Sequence, residues 1–144
     1  MGRIMSNSIA FSYKVDGNDF TRAGEISSKV KKQLKQLGLP PEVVRKVAIT
    51  MYEAEINMVI HADGGTIDVE ITPDEIHIVF TDKGPGIPDI EKAMQEGFST
   101  ASHEVQELGF GAGMGLPNIN KNSDTLKIDT EIGIGTKIDV VIKI

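Results

Sequence analysis

Three polar residues at intervals of four are the first candidates for chemistry in this sequence. Glu53, Asn57 and His61 lie in or beside a segment, residues 47–60, that would be apolar on nearly every side of a helix. Residues four apart turn by only about 40° around a helix, so these side chains would line one edge. Burying an unpaired carboxylate or amide costs several kcal/mol, so the groups either satisfy neighbouring backbone or face a cleft.

A second candidate directly follows a predicted strand. The segment Asp82-Lys83-Gly84-Pro85-Gly86 places an aspartate at the strand end, followed by two glycines that let a ligand approach the backbone closely. An aspartate in this position can accept a hydrogen bond from an exocyclic amine. A plain tight turn explains the same residues equally well, so the segment indicates a binding site only in combination with other motifs.

A third candidate is a run in which glycine occupies every second position. Each glycine costs backbone entropy on folding, so such a run is difficult to explain as structure alone. It leads into a predicted helix at Leu116-Pro117, and exposed amides at a helix N-terminus form a cradle for phosphate. The alternative is a flexible surface loop. The glycines are Gly109, Gly111, Gly113 and Gly115.

Two familiar phosphate-binding patterns do not fit this glycine run. A Walker A loop needs a lysine and then a serine or threonine after its second glycine, and neither stands there. A Gly-x-Gly-x-x-Gly dinucleotide fingerprint that starts at Gly109 would need a glycine where Met114 stands. The run therefore indicates a phosphate loop of another design.

The elements that must position these residues follow from the periodicity of the apolar residues. A strand is predicted over 8–15, followed by a helix that is capped by Asp19 and ended by Gly38, with its apolar stripe at Ala23, Ile26, Val30, Leu34 and Leu37. A second helix should run from Pro40-Pro41 to about Ala62. Hairpins are predicted over 66–72 with 75–82 and over 125–130 with 137–144, short helices over 89–96 and 116–122, and mostly loop over 97–115.

This order of elements predicts the fold class. Helices grouped against one face of a sheet built from hairpins make a two-layer α/β (α+β) sandwich. The regular β-α-β alternation of a doubly wound fold is absent. The 144 residues suit a single domain, which would span residues 1–144.

Composition and charge narrow the classes of function. The net charge of −6 disfavours direct nucleic-acid binding, which usually needs a basic face. The absence of cysteine excludes disulfides, thiolate zinc sites and cysteine catalysis. No apolar run approaches the roughly 18–20 residues that span a membrane, so a cytoplasmic protein without a membrane anchor is expected.

Together these segments resemble the GHKL ATP-binding superfamily, which includes gyrase, sensor histidine kinases and bacterial anti-sigma serine kinases. Glu53-x3-Asn57 is similar to its N box, Asp82-x-Gly84-x-Gly86 to its first glycine box, and Gly111-x-Gly113-x-Gly115 to its lid glycine box. Gly133-x-Gly135-Thr136 matches the late Gly-x-Gly-Thr turn. Each motif alone is weak, but the four in the family's order over nearly the whole chain are highly specific.

Two further details resemble the small anti-sigma regulatory kinases within this superfamily. A histidine, His61, follows the N-box asparagine by four residues, and Gly115-Leu116-Pro117 follows the lid. The resemblance implies a Bergerat-type fold, whose mixed and mostly antiparallel sheet is covered on one face by helices. It also implies two bound cofactors, ATP and Mg²⁺.

The resemblance implies a role for each motif residue. Asp82 would hold the adenine, with room provided by Gly84 and Gly86 and help from Thr136. Asn57 would be the protein ligand of Mg²⁺. Glu53 would orient or deprotonate the attacking hydroxyl, whereas the Glu55 side chain would point elsewhere on the helix. The lid amides that would wrap the phosphates belong to Gly109, Gly111, Gly113, Gly115 and Leu116.

The sequence departs from an efficient phosphoryl-transfer site in one respect. No lysine or arginine occurs between Lys92 and Lys121, so the lid brings no cation to the γ-phosphate. Phosphoryl transfer depends strongly on such charge. Magnesium with Lys83 or Lys121 would have to suffice, or a partner would supply the group.

Two functions follow from these observations. The first is an ATP-dependent serine/threonine protein kinase whose partner is an anti-anti-sigma protein of the STAS type, with a sigma factor as a second partner and a homodimer as the assembly that the family suggests. The second is a nucleotide-loaded binding switch that transfers no phosphate, which the bare lid favours. The catalytic half of a sensor histidine kinase is disfavoured because no dimerising helix pair carries a phosphoacceptor histidine.

Overall fold

The computed structural model describes residues 2–5, 8–17, 23–61, 64–84, 86–87, 94 and 115–144. Within these residues the chain forms six strands and three helices. In chain order they are β1 (Gly2–Met5), β2 (Ser8–Asp16), α1 (Glu25–Gln36), α2 (Pro41–His61), β3 (Gly64–Ile71), β4 (Glu75–Asp82), α3 (Gly115–Lys121), β5 (Thr125–Glu131) and β6 (Gly135–Lys143).

The six strands form one sheet in the order β1-β2-β3-β4-β6-β5, and all of the described pairings are antiparallel. Side chains alternate between the two faces, as they must in a strand. On β3, for example, Ile67 and Val69 are buried, whereas Thr66 and Asp68, which alternate with them, are exposed. The buried face is covered by the helices, so the predicted two-layer α/β sandwich is confirmed.

Helix α2 lies at the centre of the core. Pro41 begins it at a position where a helix needs no N–H donor, as the pair Pro40-Pro41 predicts. Its residues Val47 and Met51 are fully buried, and Val30 and Leu34 of α1 belong to the same hydrophobic cluster.

No helix in the described part of the chain combines the length and the apolarity that crossing a membrane requires.

Helix α1 begins later than the sequence predicts. Ala23 and Gly24 lie in a turn, and Gly24 has a φ of 90°, a left-handed conformation that interrupts any helix arriving from Asp19. Asp19 itself lies outside the described residues. So does the predicted helix over 89–96, apart from Met94 in a turn, and nearly all of the predicted loop over 97–115.

The N-terminus of α1 is capped by a side chain from α2. Gly24 has no side chain to cap the helix, and the Glu55 carboxylate instead accepts hydrogen bonds from the N–H groups of Ile26, at 3.2 Å, and Ser27, at 3.0 Å. Glu55 is 2% exposed. Burial raises its pKa, and the backbone donors oppose that shift. Glu55 therefore joins the two helices.

Removing this cap is expected to destabilise the fold. Glu55→Ala leaves the N–H groups of Ile26 and Ser27 without their acceptor, the second of them buried, and should lower the free energy of unfolding by about 1–3 kcal/mol. Glu55→Gln should cost less, because it keeps one acceptor oxygen. Urea unfolding measures both, with Glu70→Ala on the exposed face of the sheet as the control. An alanine variant no less stable than this control would refute the cap.

Candidate functional site

Asp82 is the last residue of β4 on the helix-covered face of the sheet. Ile76, Ile78 and Phe80 alternate along β4 on this face and are buried. Asp82 is the next residue on the same face, but it is polar. The strand register places it opposite Thr136 of β6, and the Thr136 N–H donates to Asp82 Oδ1 at 3.0 Å. The second carboxylate oxygen can accept a hydrogen bond from a ligand.

Two threonines extend this polar end of the sheet. Thr130 of β5 lies opposite Thr136, and their hydroxyl oxygens are 2.9 Å apart. Thr130 Oγ1 also accepts the N–H of Ile87 at 2.8 Å, which fixes the segment that follows β4. Thr136 was predicted from the sequence, but Thr130 was not. Pairing β5 with β6 about the turn at Gly133 would have placed Thr130 opposite Thr136 and so indicated it.

Glycines bring the backbone close to Asp82 on both sides. A Cβ at Gly65 would lie 2.0 Å from the Thr81 carbonyl oxygen, and one at Gly135 would lie 2.1 Å from the carbonyl oxygen of Asp82 itself. Gly86, with a φ of 83°, packs against the turn after β5, since a Cβ there would lie 2.8 Å from the Glu131 oxygen. No side chain can therefore replace these glycines without displacing backbone at this end of the sheet.

Burial dominates the electrostatics of Asp82. It raises the pKa of the carboxyl, and the hydrogen bond from the Thr136 N–H acts in the opposite direction. A half-buried carboxylate with one backbone donor is stabilised by any further donor that a ligand brings. Met58 of α2 lies over the adjacent glycine, with its Cε 2.8 Å from a Cβ built at Gly65. The carboxylate thus lies below the C-terminal half of α2.

The second part of the site is the seam between α2 and α3. Gly115, the last glycine of the run, is the first residue of α3, and its Cα faces the Asn57 side chain. A Cβ at Gly115 would lie 2.7 Å from Asn57 Nδ2 and 3.1 Å from Oδ1. The structure thus brings these two predicted residues together, and it explains why the last position of the run is glycine.

Glu53 lies one turn before Asn57 on α2. Burial raises its pKa, and a hydrogen bond from the Asn118 side chain on α3 opposes this. The Glu55 carboxylate points to α1 instead, as expected. Asn118 was not predicted from the sequence, although its spacing of three residues from Gly115 places it on the same face of α3.

The remaining predicted site residues are described in part or not at all. Gly84 lies in the bend after β4. The Leu116 side chain is 7% exposed and belongs to the hydrophobic core, so its backbone N–H is the group that remains for a ligand. The glycines at 109, 111 and 113 and the side chain of His61 lie outside the described part of the chain.

Comparison with known proteins assigns this chain to a family. Residues 42–144 match the family described as histidine kinase-, DNA gyrase B-, and HSP90-like ATPase. The serine/threonine-protein kinase RsbT of Bacillus subtilis (strain 168) is 32% identical over 111 residues, which are 74% of this chain and 77% of RsbT. An anti-sigma F factor of Clostridium beijerinckii is 34% identical over 137 residues, which are 91% of this chain and 89% of that protein. This chain therefore belongs to the histidine kinase-, DNA gyrase B- and HSP90-like (GHKL) ATPase family, in the branch of the anti-sigma serine/threonine kinases.

Proposed function

We propose that this chain binds ATP with Mg²⁺ and transfers the γ-phosphoryl group to a serine or threonine hydroxyl of a regulatory protein. The observation that carries the proposal is the α2–α3 seam, in which Asn57 lies against Gly115 with Glu53 one turn away. A metal ligand, the end of a phosphate-binding run and a carboxylate base would meet there. The relatives named as a serine/threonine-protein kinase and an anti-sigma F factor support this activity.

The adenine would bind at the end of β4. Asp82 would accept a hydrogen bond from its exocyclic amine, while the Thr136 N–H holds the carboxylate in place. Gly84 and Gly86 would leave room for the base beside the backbone. The phosphates would then extend toward α3, against backbone N–H groups of Gly109, Gly111, Gly113, Gly115 and Leu116, because donors at a helix N-terminus favour anions.

Asn57 fits the role of the single protein ligand to Mg²⁺. Its amide oxygen is a hard donor, and Mg²⁺ is commonly held by one or two protein groups together with phosphates and waters. Because Gly115 has no side chain, nothing from that position competes with a ligand for the tip of the Asn57 side chain. When bound, the ion would neutralise charge on the phosphates.

Glu53 would act as the base that orients or deprotonates the attacking hydroxyl. Its half-burial raises its pKa, which makes it a better proton acceptor than an exposed carboxylate. The sequence supplies no lysine or arginine between Lys92 and Lys121, so the cation at the γ-phosphate would come from Mg²⁺, from Lys83 or Lys121, or from the partner.

The partner in this proposal is an anti-anti-sigma protein of the STAS type, and a sigma factor is the second partner. The reaction would take place in the cytoplasm, with the single domain acting as a homodimer. The relatives named anti-sigma F factor support the class of partner.

The proposal is tested by incubating the protein with labelled ATP and each STAS-type protein encoded with it. Phosphoserine or phosphothreonine on one of them, dependent on Mg²⁺, is the expected result. The second candidate function, a binding switch, is favoured by the absence of a lid cation. It predicts instead that ATP strengthens partner binding and that no label is transferred in the presence of Mg²⁺.

The close contact at Gly115 gives a prediction about metal binding. Gly115→Ala should leave the fold intact, because the added Cβ displaces only the tip of the Asn57 side chain. Affinity for ATP in the presence of Mg²⁺ should fall by about five- to tenfold, which corresponds to roughly 1–1.4 kcal/mol. Calorimetry with and without Mg²⁺ measures this, with Asn120→Ala on the exposed side of α3 as the control. An equal loss without Mg²⁺ would contradict the role of Asn57.

A further inference from the structure

Helix α3 contributes a side chain to the site as well as the last glycine of the run. Asn118 is half-buried, and its neighbours Pro117 and Ile119 are buried. The Asn122 side-chain amide donates to the backbone carbonyl oxygen of Asn118 at 2.8 Å, and the Asn122 backbone N–H donates to the same oxygen at 3.2 Å. Asn122, directly after α3, therefore fixes the backbone carbonyl of Asn118 with two hydrogen bonds.

Two contacts align α3 with α2 one turn apart. Asn57 meets Gly115, and Glu53 meets Asn118. The step from Asn57 back to Glu53 is four residues, or roughly 6 Å along a helix, and the step from Gly115 to Asn118 is three residues, or roughly 4.5 Å. The two contacts therefore fit helices that run in opposite directions along the seam. The strand register gives the same direction independently. Met58, near the end of α2, lies over Gly65, which is paired with Asp82. Helix α3 instead leads toward Thr125, which pairs with Val141, far along β6 from the Asp82 end. Because α3 thus runs opposite to α2 from the Asn57–Gly115 contact, the packing itself places Asn118 beside Glu53.

The chemistry of this contact is directional. A carboxylate only accepts hydrogen bonds, so the Asn118 side-chain amide must donate to it. One donor restrains the carboxylate and occupies one oxygen, which leaves the other oxygen for a substrate hydroxyl. Asn118 carries no titratable proton, so it cannot itself be the base.

We propose that Asn118 is a positioning residue: from α3, its side-chain amide orients the Glu53 carboxylate toward the hydroxyl that is to be phosphorylated. The inference rests on the proposed function, in which Glu53 is the base. It goes beyond the motif residues, because it assigns a role to a residue that follows the glycine run and the Gly-Leu-Pro segment. The helix that begins at the phosphate-binding run would thereby also hold the base.

Three substitutions separate positioning from packing. Asn118→Leu keeps much of the side-chain volume and removes the donor. Asn118→Asp keeps the shape, removes the donor and adds a like charge beside Glu53. Asn120→Leu makes the same chemical change as the first variant at an exposed position of the same helix. If only shape mattered, the aspartate variant would behave as the unmodified protein does.

The kinetic test uses phosphoryl transfer to the partner at saturating ATP. Asn118→Leu should lower kcat about tenfold, as expected for one lost hydrogen bond, with Asn118→Asp at least as slow. The Kd for ATP with Mg²⁺ should stay within about twofold in both variants, and Asn120→Leu should leave kcat unchanged. In a Glu53→Gln background, Asn118→Leu should cause no further loss. Full activity in Asn118→Asp, or an equal loss in the Glu53→Gln background, overturns the inference.

A second measurement needs no nucleotide. The side-chain amide protons of Asn118, observed by NMR in the free protein, should shift upfield in Glu53→Gln but not in Glu70→Gln. Unshifted resonances overturn the inference. If the unmodified protein transfers no phosphate to any partner, the proposed function fails and the inference fails with it. If it transfers phosphate and Asn118→Leu is as fast, only the inference fails.

Discussion

Glu53→Gln is expected to slow phosphoryl transfer about 10²- to 10⁴-fold, the usual contribution of a positioned base, while the affinity for ATP stays nearly unchanged. Glutamine keeps the length of the side chain and an oxygen that can accept from Asn118, but it cannot take a proton from the attacking hydroxyl. The Glu53 carboxyl is half-buried between α2 and α3, and burial raises its pKa. The loss should therefore appear in kcat. Initial rates of label transfer at saturating ATP, beside calorimetric Kd values, separate the two quantities.

Glu70→Gln is the matched control for this experiment. Glu70 lies on β3 with its side chain on the exposed face of the sheet, away from both helices. The same change of charge there should leave rate and affinity unaltered. If Glu53→Gln lost ATP binding and transfer together, Glu53 would be a binding residue and the assigned role would be wrong. If it transferred phosphate at the unmodified rate, the base would have to be sought elsewhere.

The same variant separates the two candidate functions. A binding switch that transfers no phosphate has no use for a base, so Glu53→Gln would leave its ATP-dependent partner binding intact. A kinase with this substitution should hold ATP and partner together without turnover. The kinase is therefore favoured if the unmodified protein transfers label, whereas Glu53→Gln transfers none but still binds the partner. Both results come from a single set of samples.

The elements of this fold could be predicted where local sequence decides them. Pro41 at the start of α2 and the alternation in β3 and β4 act over a few residues, and these elements lie where the sequence analysis placed them. The start of α1 could not be predicted in the same way. It depends on the left-handed turn at Gly24 and on a cap that Glu55 supplies from another helix. Strand β1 was not predicted.

The residues of the candidate site also differ in whether local sequence or packing reveals them. Asn57, Asp82 and Gly115 stand in motifs whose spacing is visible in the sequence. Thr130 and Asn118 owe their places to the strand register and to the packing of α3 on α2, which a linear pattern does not contain. Sequence thus identifies residues that would touch the ligand, whereas the structure adds those that hold them in position.

Asp82→Asn is expected to weaken ATP binding about 10- to 100-fold, the equivalent of one hydrogen bond to a charged group. An asparagine oxygen can still accept the Thr136 N–H, as Asp82 Oδ1 does at 3.0 Å. Its amide would then present hydrogens to the exocyclic amine of adenine, so two donors would face each other. The fold should survive, because the network of Thr130, Thr136 and Ile87 remains satisfied. Thermal unfolding without nucleotide is the control for this.

Inosine triphosphate distinguishes recognition of the amine from a general loss of binding. Inosine carries a carbonyl oxygen where adenine carries the amine, so a carboxylate at position 82 meets an acceptor instead of a donor. The unmodified protein should therefore prefer ATP over inosine triphosphate by about 10- to 100-fold. In Asp82→Asn the amide can donate to the inosine oxygen, and the preference should shrink or reverse. Equal losses for both nucleotides would mean that Asp82 supports the shape of the pocket without reading the base.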